Sequence, residues 1–594
     1  MYSAENFRLL SWLRSPSTQT GLHVAEPGEG WSFIPYADLA VEVRDFAATL
    51  RAGDPAPGAV VTLLATEVKS FVVSFMGTLA AGLTPSPVAP PRSYRTTERY
   101  RAHLARIIEV ARPEIVVTQE DTHAAAEAVC LELGAKAVLV PAPGPGAPPR
   151  APQPGAEPAQ PTERAAEDLA LLQFTSGSSG NPKGVRVSWG ALTANVSAIR
   201  DWLRIRPGDV FASWLPLFHD MGLVGAMIMP LTSGIDLWLM TPEQFVRSPE
   251  RWLDCFGRHG ATVTTAPSFG YSYCARRVKP EQLQGTDFSA WRVAILGAER
   301  IDPQGVADFT TLIRPHGFDE HALVGAYGLA ESTLAVTGVD PGQGSPLLRI
   351  ANATAEFATP IEPAEQGLLG RDRVAANWLV GCGRPVGDLR VRILDEDGNP
   401  LPEGHFGQIE VAGSSVADGY LLGDGRLTAF DPDGLRTGDG GFLWRDELYV
   451  IGRVADSLKI RGATVFAEDL EAELARLDGL AAGRLVTLLG TVDGADHAVL
   501  LVEDPDTQEW LEPALNTLRA STSPEISLTV LAGRRGAIER TSSGKPRRRV
   551  LWQRLLRGEA ADWTLVHSAG ASPIPSGTDA PQADADASGQ GGTP

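Results

Sequence analysis

Cysteine is scarce in this chain. Its 594 residues include four, Cys130, Cys255, Cys274 and Cys382, and no two stand in CxxC spacing, which argues against a zinc site and against a disulfide framework. Long apolar runs are missing as well: no stretch of 18 or more apolar residues is present to span a bilayer. The first residues, Met1-Tyr-Ser-Ala-Glu-Asn-Phe-Arg8, contain no apolar export core followed by small residues, so a cytoplasmic protein is expected. Positive charge is in deficit. A net charge of −20 disfavours nonspecific attachment to nucleic acid or to anionic membrane, and no nucleic-acid partner is expected. A Walker-type phosphate loop is absent too. The pattern GxxxxGK followed by Ser or Thr must open directly into a helix, whereas here Pro182 precedes Lys183 and the strand-like Val185-Arg-Val-Ser188 follows.

What is present starts with size. A chain of this length exceeds one core, so two or more domains are expected, and 43% hydrophobic with 21% charged residues is ordinary for a globular protein. Residues 31–90 alternate helical and strand spacing: Ile34 to Leu50 reads as a helix, Ala59 to Leu64 as a strand, and Phe71 to Ala81 as a helix. This βα rhythm continues to about residue 335. The segment Pro141 to Thr162 is too rich in Pro, Gly and Ala to pack and reads as a surface linker. Residues 388–451 show short strand patterns and turn signals, which points to a small β-rich subdomain, and a compact α+β segment follows Gly452-Arg453. The tail from about Ser568 lacks aromatic residues and aliphatic clusters, so it is expected to be disordered.

The most informative stretch is Thr175-Ser-Gly-Ser-Ser-Gly-Asn-Pro-Lys-Gly184, set between the apolar run Leu169 to Phe174 and a second strand. Gly177 and Gly180 let backbone N–H groups turn toward an anion, Thr175, Ser176, Ser178 and Ser179 add hydroxyl donors, and Lys183 adds positive charge: a phosphate cradle. The loop resembles the phosphate-binding signature of the adenylate-forming superfamily of acyl-CoA synthetases, luciferase-like enzymes, adenylation domains and fatty acyl-AMP ligases. Further motifs follow in that family's order: Trp214-Leu-Pro-Leu-Phe-His-Asp-Met-Gly-Leu223, Leu296-Gly-Ala-Glu299, Tyr327-Gly-Leu-Ala-Glu-Ser-Thr333, Arg436-Thr-Gly-Asp-Gly-Gly-Phe442, Ala455-Asp-Ser-Leu-Lys-Ile-Arg-Gly462 and Thr541-Ser-Ser-Gly-Lys-Pro-Arg-Arg548.

The resemblance spans roughly residues 5–565. It implies an α/β fold: a large N-terminal adenylation (AMP-binding) domain over 1–452, built from two βα-layered subdomains and a small β-rich one, then a small mobile α+β lid domain over 453–567 and the tail 568–594. It also implies roles. His219 lies near the acyl carboxylate, although a histidine beside an aspartate in an apolar stretch is by itself more often a satisfied core residue. Gly297, Ala298 and Glu299 line the adenine and Tyr327, followed by Gly328, stacks on it. Glu331 is the candidate Mg²⁺ ligand, because Mg²⁺ keeps most of its waters and takes few protein ligands. Asp439 accepts from the ribose hydroxyls, as an acidic residue does in dinucleotide enzymes, and Arg453 contacts the ribose. Asp456 is the hinge of the lid and Lys545 the lysine that stabilises charge where carboxylate meets α-phosphate. Phe269, Tyr271, Tyr273 and Met221 are candidates for an apolar acyl pocket, although aromatic residues are more often core.

Within the superfamily the motif wording and the long Pro- and Gly-bearing stretch from Glu331 to Gly383 are most like fatty acyl-AMP ligases, which carry an insertion there that disfavours CoA as acceptor. Two departures, Ala463-Thr-Val-Phe-Ala-Glu-Asp469 and Ala455, fall on the acceptor-facing region. The expected reaction turns a carboxylic acid, ATP and Mg²⁺ into acyl-AMP and pyrophosphate, and then passes the acyl group to an acyl carrier protein. The basic stretch Arg534 to Arg557 is a candidate docking face for an acidic carrier. Alternatives are an acyl-CoA or aryl-CoA synthetase and a non-catalytic nucleotide-binding regulator.

Overall fold

The computed structural model describes residues 9–94, 96–144, 161–162, 164–175, 182–351, 357–372, 374, 378–460, 463–481, 483–492, 495–505, 509–522, 526–541 and 544–570. Two compact units emerge: residues up to Asp469 together with Thr541–Lys545, and Leu470–Arg540 together with the residues from Pro546 on.

The first unit is α/β. A nine-stranded sheet runs in the order Arg384–Pro385, Ala335–Gly338, Leu323–Gly328, Val293–Leu296, Val263–Ala266, Val210–Ser213, Asp236–Leu239, Gly21–Ala25 and Trp31–Pro35. Six consecutive strands, from Leu323–Gly328 to Gly21–Ala25, are parallel, and antiparallel strands close both edges. The two strands Val263–Ala266 and Val293–Leu296 are buried at every position, the expected state of a parallel sheet covered on both faces. A second, four-stranded parallel sheet is built from Thr84–Pro87, Val60–Leu63, Ile115–Thr118 and Val138–Pro141. The helices read from sequence fall at Tyr36–Arg51 and Val68–Ala80. From Ser70 to Ala80 the second of these is buried at every position, so it has no polar face to show.

Residues 388–451 are β-rich, as their turn signals imply. Strands Arg390–Leu394, Gly407–Ala412, Leu435–Trp444 and Glu447–Arg453 form one antiparallel sheet. The hairpin Gly419–Leu421 with Leu427–Ala429 leaves that sheet to join Lys183–Ser188 and Leu169–Thr175. The stretch between Glu331 and Gly383, irregular by sequence pattern, contains a three-stranded antiparallel sheet of Pro346–Ile350, Pro363–Leu368 and Trp378–Val380. Its Leu348 and Leu379 enter a cluster with Phe406, Phe442, Tyr449, Ile451 and Phe466. Phe466 ends the hairpin Ser457–Ile460 with Ala463–Phe466, which belongs to the first unit. Gly383 turns the chain back with φ +76°, where a Cβ would lie 1.8 Å from the carbonyl carbon of Gly338, so only glycine fits.

The second unit is α+β. Strands Leu485–Val492, Ala495–Glu503, Ser527–Gly533 and Trp563–Ala569 make a mixed sheet, accompanied by helices Leu511–Ser521 and Arg548–Leu556. The last strand takes in Ser568 and Ala569, the first residues of the compositionally biased tail, because they pair with Thr529 and Leu528. The tail from 571 on and linker residues 145–160 lie outside the described residues. All four cysteines are free and buried, and burial alone pushes the Cys130 thiol up. Among the described residues no helix is long and apolar enough to cross a membrane.

Candidate active site

The phosphate-loop motif sits on a hairpin. Strands Leu169–Thr175 and Lys183–Ser188 pair antiparallel, and Thr175 faces Lys183 at the open end. Ser176, Gly177, Ser178, Ser179, Gly180 and Asn181, the loop between them, lie outside the described residues. Strand Gly419–Leu421 flanks the hairpin, with Tyr420 opposite Val185. This brings Lys183 to Tyr420: the ammonium stands 4.8 Å from the ring centroid.

Tyr420 reaches Glu331 at the same time. Its hydroxyl donates to Glu331 Oε1 at 2.6 Å. The turn carrying Glu331 is tied down by its own backbone: Ala417 N–H donates to the Glu331 carbonyl at 2.9 Å, and Thr333, at φ +66°, donates from its hydroxyl to the Ser415 carbonyl at 2.7 Å. Gly328, two residues after the strand's Ala326, is required by the same fold, since a Cβ there would lie 2.0 Å from the Leu334 carbonyl oxygen. A Mg²⁺ ion fits Glu331 on these terms. One carboxylate oxygen is held by the tyrosine, and among the described residues no protein group takes Oε2 and no cluster of three or more His, Cys, Asp or Glu forms a cage. A single hard oxygen suits an ion that arrives with phosphate and keeps its waters.

A second carboxylate is clasped from two sides. Asp439 Oδ2 accepts from the Tyr327 hydroxyl at 2.5 Å, and Oδ1 lies 2.8 Å from Arg453 Nε. Arg453 also donates to the Thr437 carbonyl at 3.2 Å, and the Thr437 hydroxyl accepts from Asp439 N–H at 3.1 Å. Asp439 and Arg453 are register partners in the strand pair Leu435–Trp444 with Glu447–Arg453, which explains their meeting. Burial, with Asp439 next to it, pushes the Tyr327 hydroxyl well above its ordinary range, so it remains a donor. Asp456 closes the short 3₁₀ helix Val454–Asp456 directly after this strand.

The His219 motif forms a third group. Strand Val210–Ser213 leads into Trp214 to Phe218, and the Gln173 amide donates to the Phe218 carbonyl at 2.8 Å, so the strand before the phosphate loop also holds this segment. His219 Nδ1 lies 2.5 Å from Asp220 Oδ1, and Asp220 accepts from Met221 N–H at 2.7 Å as a π-helical turn, Met221–Ile228, begins. Burial raises the Asp220 carboxyl, but His219, Lys545 and the Met221 N–H outweigh it and hold the group below the ordinary carboxylate range. Glu299 goes the other way. Burial pushes it up against the Phe269 N–H, the Ser268 hydroxyl and Lys545, and both donors reach its Oε1 at 2.9 Å. Glu299 follows Ala298, whose φ of +67° turns the chain after Gly297. The Lys545 charge favours the ionised form of both Asp220 and Glu299; Lys545 is grouped with the first unit, and its carbonyl accepts from Thr541 N–H at 2.7 Å.

Beside Leu215 to Phe218 opens a cleft of ≈ 310 Å³, lined on one part by apolar side chains that include Phe71, Trp214, Leu217 and Met240 and on another by Glu67, Arg92 and Glu243. The aromatic candidates for an acyl pocket divide here. Tyr271 is fully buried with its hydroxyl on the Ile295 carbonyl at 3.1 Å, so it is core; Tyr273 donates to the Val246 carbonyl, Met221 is buried, and Phe269 is 43% exposed.

The basic stretch is a different matter from what its composition suggests. Most of its arginines are engaged within the second unit: Arg548 with Glu471 at 2.9 Å, Arg534 with Asp562 at 3.0 Å, Arg554 with Glu539, and Arg547 with Glu539 at 3.9 Å. Arg535 and Arg549 are exposed and have no ion pair among the described residues. A uniform cationic face is therefore not available to a partner.

Sequence reasoning missed Tyr420 and Gln173. Gln173 had a legible setting, the apolar strand before the loop; Tyr420 had none, since its hydrogen-bond partner lies 89 positions away.

A family model described as "AMP-binding enzyme" matches residues 19–421, more than half of the chain's length. A putative acyl-CoA synthetase of Caulobacter vibrioides is 33% identical over 537 residues, covering 89% of this chain and 91% of the relative. The medium-chain-fatty-acid–[acyl-carrier-protein] ligase JamA of Moorena producens is 30% identical, over 84% of this chain and 86% of its own. A solved structure from studies of fatty acyl-adenylate ligases of E. coli and L. pneumophila superposes with a TM-score of 0.80 at 26% identity, over 94% of this chain and 99% of that one. An L. pneumophila fatty acyl-adenylate ligase in complex with acyl adenylate and pyrophosphate gives a TM-score of 0.66 at 27% identity, over 95% and 97%.

Proposed function

The chain belongs to the AMP-binding enzyme family and is an adenylate-forming ligase that activates a fatty acid with ATP; from that premise we propose that it then transfers the acyl group to the phosphopantetheine thiol of an acyl carrier protein. The observation that carries the site reading is the convergence on the first unit of a cation, two differently held carboxylates and a histidine beside an apolar cleft. Each has a separate task, on ATP or on the acid.

Lys183, at the mouth of the loop hairpin, binds the β- and γ-phosphate oxygens and stabilises the pyrophosphate that leaves. Asp439, oriented by Tyr327 and Arg453, accepts from the ribose hydroxyls with lone pairs those two donors leave unused. Glu331 would hold Mg²⁺, and the ion would supply positive charge against the phosphate oxygens. His219, fixed by Asp220 and next in sequence to the cleft-lining Phe218, orients the acyl carboxylate, and the apolar part of the cleft takes the chain. A carboxylate oxygen attacks the α-phosphorus, the bond to the bridging oxygen breaks, and pyrophosphate carries off the electron pair. Lys545 stabilises the negative charge that builds between carboxylate and α-phosphate. In the second step the carrier thiolate attacks the acyl carbon and AMP leaves.

Support for a carrier acceptor comes from JamA, named as a carrier-protein ligase, and from the small sheet between Glu331 and Gly383. The sheet's packing on Phe442, Tyr449 and Phe466 stiffens the chain on both sides of Asp456, the proposed hinge, and so limits the lid rotation that a CoA acceptor needs. A CoA acceptor is the second reading, favoured by the name of the Caulobacter relative. Supplying ATP, Mg²⁺ and medium-chain acids with either holo-carrier protein or CoA separates the two. The carrier reading expects acylated carrier with little acyl-CoA; efficient acyl-CoA formation overturns it.

A further inference from the structure

Tyr420 is placed between two charges that the adenylation site uses for different partners. Its hydroxyl holds Glu331 Oε1 at 2.6 Å and its ring lies under the Lys183 ammonium at 4.8 Å. Among the described residues no ion pair joins Lys183 to Glu331. The ring's orientation is fixed by Phe430, packed edge-on at 4.8 Å and 88°. The backbone adds registration: Tyr420 pairs with Val185 on one side and Thr428 on the other, while Ala417 N–H binds the Glu331 carbonyl.

We infer that Tyr420 is a positioning residue that keeps Lys183 and Glu331 apart and separately oriented, so that the lysine stays available to phosphate oxygens and the carboxylate to a divalent cation. The inference rests on the proposed roles of Lys183 and Glu331. Its physical basis is simple. An ammonium and a carboxylate in direct contact neutralise each other and have to be separated before either can serve a ligand. An aromatic face satisfies a cation without offering it a counter-charge, and a phenol satisfies one carboxylate oxygen while leaving the other. The same side chain does both, which a phenylalanine or a leucine cannot. Hydrogen bonds of this kind to a ligating carboxylate are worth about 10–100-fold in metal affinity.

The test uses the full-length protein and Mn²⁺ as the probe, titrated by electron paramagnetic resonance in the presence of a nonhydrolysable ATP analogue. Tyr420→Phe keeps the ring under Lys183 and loses the hydroxyl: Mn²⁺ affinity is expected to fall about tenfold while affinity for the analogue at saturating Mn²⁺ changes less than twofold. Tyr420→Ala removes the spacer, and both affinities fall. Glu331→Gln is the control for the reading beneath. If Glu331→Gln weakens Mn²⁺ and Tyr420→Phe does not, the positioning role is overturned and the metal site stands. If Glu331→Gln itself leaves Mn²⁺ binding unchanged, the site reading falls and the inference falls with it. An unchanged thermal transition in Tyr420→Phe establishes that the loss is local.

Discussion

Lys183 in the first unit and the arginines between Arg534 and Arg557 in the second are both conspicuous positive charge in an acidic chain, yet the structure uses them in opposite ways. Lys183 rests on an aromatic ring. Arg548 is locked to Glu471 by two of its nitrogens, with the pair only 12% and 18% exposed, and Glu471 in turn accepts from Thr487 N–H. A partly buried ion pair has given up its hydration and is committed to the fold. A cation over a π-face keeps its donors for a ligand. Counting charge along a sequence cannot separate the two, because the difference lies in what folds against each group.

That contrast can be broken at either end. Lys183→Ala is expected to lower kcat/KM for ATP by about 100-fold, on the scale of a lost charge-assisted contact, while leaving the thermal transition in place; pyrophosphate-exchange kinetics against ATP concentration measure it. Arg548→Ala is expected to do the reverse, destabilising the second unit by about 2–3 kcal/mol because the partly buried Glu471 loses the guanidinium that holds it through two nitrogens. Urea unfolding followed by the fluorescence of Trp510, Trp552 and Trp563 reads this. Arg549→Ala sharpens the same comparison with the smallest effect: no change in stability and a severalfold slower transfer to a carrier protein that vanishes at high salt, as expected of a steering charge. Substituting Arg547, Arg548 and Arg549 together would mix the two kinds of effect.

Much of the fold was legible because it is local. The strand, loop and strand around Thr175 to Lys183 announce themselves by an apolar run, a Gly and Ser cluster and a return to β spacing, and the hairpin is where they put it. The buried helix Val68–Ala80 and the β-rich region after Asp388 were readable for the same reason. Glu331 and Asp439 were named from motif context and resemblance, and Asp439 and Arg453 are register partners as well as motif residues. What was not legible depends on distant pairing. The stretch from Glu331 to Gly383 looked irregular because its three strands are short and interrupted by Pro and Gly, and their stability comes from Phe406, Phe442 and Tyr449 elsewhere. Tyr271 looked like pocket because an aromatic residue in a motif carries no sign of which way it faces, and its hydroxyl is spent on Ile295. Tyr420 gave no signal, since its two charged partners lie on different strands and turns.

The measurement that tests the central claim most directly is acid-dependent exchange of pyrophosphate into ATP, comparing the wild-type protein with Lys545→Ala. The account predicts exchange that requires a fatty acid in the wild type, a loss of at least about 100-fold in the variant, and retained binding of an ATP analogue in both. Exchange in Lys545→Ala within a few fold of wild type, or wild-type exchange indifferent to the acid, would contradict it.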